Sequence, residues 1–127
     1  MRCKFSILVI ALALLVVSIP LSAHHGNAAF DSSKQVTIKG TITEWVWANP
    51  HSYLKVDVKD DKGNIVHWYA EASNPADMMS HGWTARSFKV GDEVTLKLTP
   101  AKNGAPVGRI EEAVTADGKT LGTRERY

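Results

Sequence analysis

The sequence predicts an all-β domain carrying one short helix. Stretches of apolar–polar alternation recur along the chain, separated by turns rich in Gly, Asp and Pro. One segment, opening at Asn74-Pro75, has helix-start chemistry instead. Charged residues at 22% and hydrophobic residues at 44% are the balance of an ordinary folded domain, which argues against disorder, collagen and coiled coil.

Residues 1–23 stand apart from this pattern. Met-Arg-Cys-Lys precedes an apolar run from Phe5 to Pro20, and Leu21-Ser22-Ala23 follows. This is the layout of a secretory signal peptide. The run is about 15 residues long, short of the roughly 20 that cross a bilayer. Cleavage is expected after Ala23, with a cut after Ser22 as the alternative. Cys3 is the sole cysteine and follows no lipobox, so neither a lipid anchor nor a disulfide framework is expected. The predicted organisation is a signal peptide over 1–23, an N-terminal arm over 24–34, a β-domain over 35–120 and a flexible tail over 121–127. The expected location is the periplasm or the medium, with no membrane span after cleavage. Arg2 and Lys4 would leave with the first segment, and the formal net charge of +2 would fall to zero. A neutral domain gives no support to nucleic-acid binding, which rests on phosphate neutralisation.

The elements follow in order. Gln35 to Thr43 alternates, with Val36, Ile38 and Ile42 on one face and Thr37, Lys39, Thr41 and Thr43 on the other. This is a half-buried strand, with Gly40 at a bend or bulge. It continues into Glu44-Trp45-Val46-Trp47 and ends at Asn49-Pro50. Ser52 to Lys59 forms the second strand, with Leu54, Val56 and Val58 inward. Asp60-Asp61-Lys62-Gly63 is a hairpin loop. Ile65 to Glu71 forms the third strand, with Val66, Trp68 and Ala70 on one face and Ile65, His67, Tyr69 and Glu71 on the other. Asn74 caps a helix of about two turns that stops at Gly82. Either Met78 or Met79 packs beneath it, and Trp83 packs beside it. Lys89 to Asp92 is a turn. Glu93 to Thr99 forms a fourth strand, with Val94, Leu96 and Leu98 inward. Val107 to Ala116 forms a fifth, weaker one. Five strands with a helix between the third and fourth are the element order of a small Greek-key barrel of the OB type. A two-sheet sandwich is the alternative. The interior is assigned to Val36, Ile38, Ile42, Leu54, Val56, Val58, Val66, Trp68, Val94, Leu96 and Leu98.

Several short stretches occur in a characteristic order: Ala23-His24-His25, Gly40-Thr41-Ile42-Thr43, Asn49-Pro50-His51, Trp68 with Glu71, Gly82-Trp83 and Gly91-Asp92. As an ordered set the chain resembles small exported proteobacterial proteins grouped as domain of unknown function 6152. Here Gly26-Asn27 stands where that family usually has Ser and an aromatic. The resemblance implies an exported β-rich domain and carries no established activity.

Two sets of residues could carry chemistry. His24-His25 would sit at the new N-terminus, where an α-amine and imidazoles together suit tetragonal Cu(II). His51, after Asn49-Pro50, would add an imidazole if the arm folds back. Otherwise it caps a nearby carbonyl. His67 and Glu71 share a face four residues apart, about 13 Å along a strand and too far for one metal. His81, near the helix end, reads as structural. The second set is aromatic. Trp45 and Trp47 follow the outward pattern of the first strand, and with Tyr53 and Tyr69 they would form a platform flanked by Lys39, Lys55 and Arg109, alongside His67 and Glu71. The alternative is that the arm or a partner covers these rings. No phosphate loop, nucleophile elbow or metalloprotease motif occurs, and the chain is expected not to be an enzyme. The expected function is an exported, non-catalytic binding or accessory module for an envelope protein or a small ligand. The alternatives are a periplasmic copper-binding protein using His24, His25 and His51, and a small-carbohydrate binder.

Overall fold

The structure, a computed structural model, describes residues 28–123. His24, His25 and the leader-like segment 1–23 lie outside the described residues.

The strands are β1 (Val36–Val46), β2 (Tyr53–Lys59), β3 (Ile65–Glu71), β4 (Glu93–Pro100), β5 (Val107–Val114) and β6 (Thr120–Gly122). Helix α1 (Pro75–Ser80) lies between β3 and β4. The strand order is β3-β2-β1-β4-β5-β6, and a parallel pairing of β3 with β5 closes the first five strands into a barrel. Its order and pairings are those of the OB barrel, not of a two-sheet sandwich.

β1 serves two partners. Val36–Thr41 pairs with β4, and Thr41–Val46 pairs with β2. The strand must therefore bend sharply near its middle, and Gly40 stands there. A β-carbon at Gly40 would overlap the Asp57 carbonyl oxygen and fall 2.9 Å from Val56 Cγ1, so only glycine admits the close crossing. Helix α1 begins as its sequence dictates. The Asn74 side chain accepts from Asp77 N, Pro75 occupies the first turn, and Gly82 ends the segment at φ 84°. Met78 is buried beneath the helix, while Met79 faces solvent.

The core contains the expected Ile38, Ile42, Leu54, Val56, Val94, Leu96 and Leu98. Val36, Val58 and Trp68 are partly buried against it, and Val66 is half-buried. It also contains Trp83, Phe88, Ile110, Ala113 and Leu121. Leu121 lies in β6, which pairs Gly122 with Glu112, so the expected domain boundary at residue 120 falls inside a strand. The cause is visible in Trp83, whose indole N–H donates to the Gly122 carbonyl at 2.8 Å and holds the strand over the barrel end. The arm is likewise anchored: Phe30 is buried and bridges to Ala101.

Candidate ligand-binding face

The register of β1 changes between Ile42 and Glu44. Ile42 stands opposite Val56, whereas Glu44 stands opposite Lys55, leaving Thr43 as an extra residue. Such a bulge reverses the alternation of everything beyond it. Trp45 therefore faces Leu54 on the inner side, against the outward placement that uninterrupted alternation predicts. Its ring lies 5.1 Å from Phe88 and 6.4 Å from Trp83, and its indole N–H donates to Ala85 O. Trp47 packs on Trp45 at 5.6 Å and is also partly buried against the core. Both indoles are thus removed from the expected platform.

The same bulge turns Glu44 outward, beside β2. Glu44 Oε2 lies 2.6 Å from Lys55 Nζ, and the Tyr53 hydroxyl donates to Glu44 Oε1 at 3.3 Å. Lys55 holds the Glu44 carboxyl below its ordinary range, and Glu44 in turn raises the Lys55 ammonium.

The outer faces of β2 and β3 complete the surface. Their antiparallel register sets Tyr53 opposite Glu71, Lys55 opposite Tyr69, and Asp57 opposite His67. Tyr53 and Tyr69 meet across the diagonal as a stacked pair, with centroids 4.8 Å apart and planes inclined by 30°. Burial pushes the Tyr69 phenol above its ordinary value, and Glu71 and Tyr53 add to the shift. His67 Nδ1 lies 2.6 Å from Asp57 Oδ1. A hollow of about 310 Å³ opens between these groups, lined by Thr43, Lys55, Asp57, His67, Trp68 and Tyr69.

Farther along β3, His51 Nδ1 lies 3.4 Å from Glu71 Oε1 and 3.3 Å from Ala72 O. Glu71 is also in register with Arg109 of β5, whose guanidinium covers the Phe30 ring at 4.6 Å. His81 Nδ1 contacts the Asp77 carbonyl at 2.9 Å, the structural role its helix position predicts.

The sequence itself decides the family. Residues 12–110 match the model of a family of unknown function (DUF6152). The chain belongs to that family. No curated protein matches the sequence. Among solved structures, the chain is similar to Rim1, a mitochondrial single-stranded DNA binding protein from S. cerevisiae. The identity is 11% and the TM-score 0.49, over 65% of this chain and 93% of that one. It is also similar to the ZRD-deleted mutant of TiaS in complex with agmatine, at 16% identity and a TM-score of 0.44. That likeness covers 71% of this chain and 23% of that one.

The DUF6152 match runs from the leader-like segment to Ile110, so β6 lies beyond it. Of the residues that sequence reading places on this surface, the structure brings together Tyr53, Tyr69, His67 and Glu71, with the Lys55 ammonium 5.9 Å from the Tyr53 ring centroid. It sets Trp45 and Trp47 elsewhere. Glu44 and Asp57 were missed as participants. Asp57 shares the outward alternation of Tyr53 and Lys55 and was legible there, whereas Glu44 arrives only through the bulge.

Proposed function

We propose that this DUF6152 chain is a non-catalytic binding module of the bacterial envelope. Its ligand face is the outer surface of β2 and β3. The observation that carries the reading is the Tyr53–Tyr69 stack, set on the strands that OB barrels use for oligomeric ligands. A stacked aromatic pair offers an apolar plane to a ring-shaped ligand, and the groups around it offer hydrogen bonds in fixed directions. Envelope placement rests on the segment Met1–Ala23.

The charge around the stack favours a neutral polar ligand over a polyanion. Lys55 is already engaged by Glu44, and Asp57 and Glu71 stand on the same face. A nucleic-acid phosphate would meet three carboxylates here, whereas sugar hydroxyls can both donate to and accept from such groups. The ligand that suits this face is a saccharide of the cell envelope.

Titration with soluble cell-wall glycan fragments, followed by tryptophan fluorescence and calorimetry, tests it. Trp68 lines the hollow and supplies the optical signal. Tyr69→Ala should weaken binding at least tenfold while the far-ultraviolet spectrum is unchanged. Equal affinity in wild type and Tyr69→Ala would remove this face from the function.

A further inference from the structure

We propose that the hollow between the turn after helix α1 and the β5–β6 turn binds a phosphoryl group, with Arg86 and Lys119 as its cationic partners. The site shares no residue with the β2–β3 face, so it stands or falls apart from the saccharide reading.

Two turns build the hollow. Thr84, Arg86 and Ser87 come from the segment between α1 and β4, and Thr115, Asp117 and Lys119 from the connection of β5 to β6. Its volume is about 220 Å³. That is several times the roughly 30 Å³ share of one liquid water, and room enough for a tetrahedral anion. The indole N–H of Trp83 donates to Gly122 O at 2.8 Å and ties one turn to the other. Leu121, which is buried, also lines the hollow. Each turn is closed by its own backbone bond, Ser87 N to Thr84 O at 3.0 Å and Thr115 N to Lys119 O at 2.9 Å. The walls are therefore set before a ligand arrives, which limits the ordering cost of binding.

The wall formed by Thr84, Arg86 and Ser87 presents unused donors. Ser87 Oγ accepts from Thr84 N at 2.8 Å, and Thr84 Oγ1 accepts from Arg86 N at 3.2 Å. A hydroxyl that accepts still has its own hydrogen to donate. Among the described residues, neither hydroxyl hydrogen meets an acceptor, and no ion pair or hydrogen bond holds the Arg86 guanidinium. The other wall differs. The Thr115 hydroxyl donates to Asp117 Oδ1 and accepts from Lys119 N at 3.1 Å, so hydroxyl and carboxylate serve their own turn. Lys119 adds an ammonium that forms no ion pair among the described residues.

Two cations against one carboxylate leave this hollow positive, the reverse of the balance around Tyr53 and Tyr69. The free donors are a guanidinium fork, an ammonium and two hydroxyl hydrogens. A carboxylate offers them two oxygens in one plane. A phosphoryl group offers three, in directions that reach both walls, and carries about two negative charges at neutral pH.

The test titrates the full chain with inorganic phosphate at constant ionic strength and follows the backbone amide resonances. Saturable shifts are expected over Thr84–Ser87 and Thr115–Lys119, with half-saturation at millimolar phosphate or below. Arg86→Gln should weaken binding about tenfold, and Lys119→Gln about threefold, the fork being the stronger partner of a phosphate. Neither change should move the thermal midpoint, because neither charged group has a partner in the described fold. Lys89→Gln removes a cation of the same segment that lies outside the hollow, and should leave the affinity as it was. Glycerol phosphate identifies the source. Binding at least as tight as that of inorganic phosphate assigns the site to phosphate esters, and weaker binding assigns it to the free ion; either supports the phosphoryl assignment. Acetate bound as tightly as phosphate would overturn it in favour of a carboxylate. Shifts that never saturate, or Arg86→Gln with the affinity of wild type or of Lys89→Gln, would return the hollow to solvated surface.

Discussion

The indole N–H of Trp45 donates to the carbonyl oxygen of Ala85 at 3.0 Å, joining β1 to the segment that follows helix α1. This bond fixes Trp45 as a structural residue. Its ring fills the space between Trp83 and Phe88 at the barrel end. Trp45→Ala should lower stability by about 3–5 kcal/mol, the range for an aromatic removed from a core. Tyr69→Ala, on the outer face, should cost much less. Chemical denaturation of the two variants checks the contrast. Equal losses would mean that the outer stack contributes as much as the inner cluster.

How far the fold was legible follows from the same strand. β2, β3 and β4 alternate without interruption, so their inward residues could be read directly. β1 alternates through Ile42, then admits Thr43 as a supernumerary residue. Nothing local marks it, because Thr-Ile-Thr reads as regular strand. The orientation of Trp45 and Trp47 is set by cross-strand register, which sequence does not display. β6 was illegible for another reason: Leu121 is one apolar residue in three, too short for a period. The contact of His51 with Glu71 depends on the β2–β3 register and the loop before β2, and neither residue signals the other.

The bulge can be tested by removing its extra residue. Deletion of Thr43 would set Glu44 directly after Ile42, outward as before, and would keep Trp45 opposite Leu54 on the inner side, with Trp47 two residues on. Cooperative unfolding is expected to survive, because the core keeps both indoles and the pairing with β2 becomes continuous. Thr43→Ala keeps the residue count and loses only the hydroxyl contact to Lys55 O. It should stay within about 1 kcal/mol of wild type, the net worth of one ordinary hydrogen bond. A deletion variant with Trp45 and Trp47 exposed and no cooperative unfolding would contradict the assignment of Thr43 as the extra residue.

Gly40 sets a second limit. The β-carbon of Gly40→Ala meets the Asp57 backbone and Val56 Cγ1, and backbone cannot move aside without separating β1 from β2. A loss of about 1–3 kcal/mol or more is expected from overpacking at this crossing. Gly104→Ala makes a useful contrast. It meets nothing within 4 Å and suffers only from its positive φ of 76°. Thermal unfolding should place Gly40→Ala well below Gly104→Ala, and the reverse order would contradict the close crossing.

Leu121 tests whether β6 belongs to the barrel. Its side chain is buried, although it lies beyond the expected end of the domain. Leu121→Ala should cost about 2–5 kcal/mol if the strand covers the core as a structural element. It should also raise the exchange rate of the Trp83 indole proton, which is bonded to the neighbouring Gly122 carbonyl. A change under 0.5 kcal/mol, the usual scale for surface positions, would make β6 a peripheral attachment.

Acid should act first on the arm. Asp31 Oδ1 accepts from the Ser33 hydroxyl at 2.6 Å and the Ser33 amide at 3.2 Å, and Oδ2 lies 3.0 Å from Lys34 Nζ. Ser33, followed by Lys34, holds the Asp31 carboxyl down to about 2, from an ordinary value of 3.8. A folded-state value below the unfolded one means that the carboxylate contributes stability above about 3.8. That contribution declines as pH falls from there through about 2. The Asp31 side-chain carbonyl carbon should therefore titrate near 2 in the folded chain. Over the same window, protection of the Asp31 amide, which donates to Pro100 O, should fall before that of β4 amides. Titration of Asp31 at its ordinary value, or simultaneous loss of protection in the arm and in β4, would show that the turn at Asp31 does not hold the arm to the barrel.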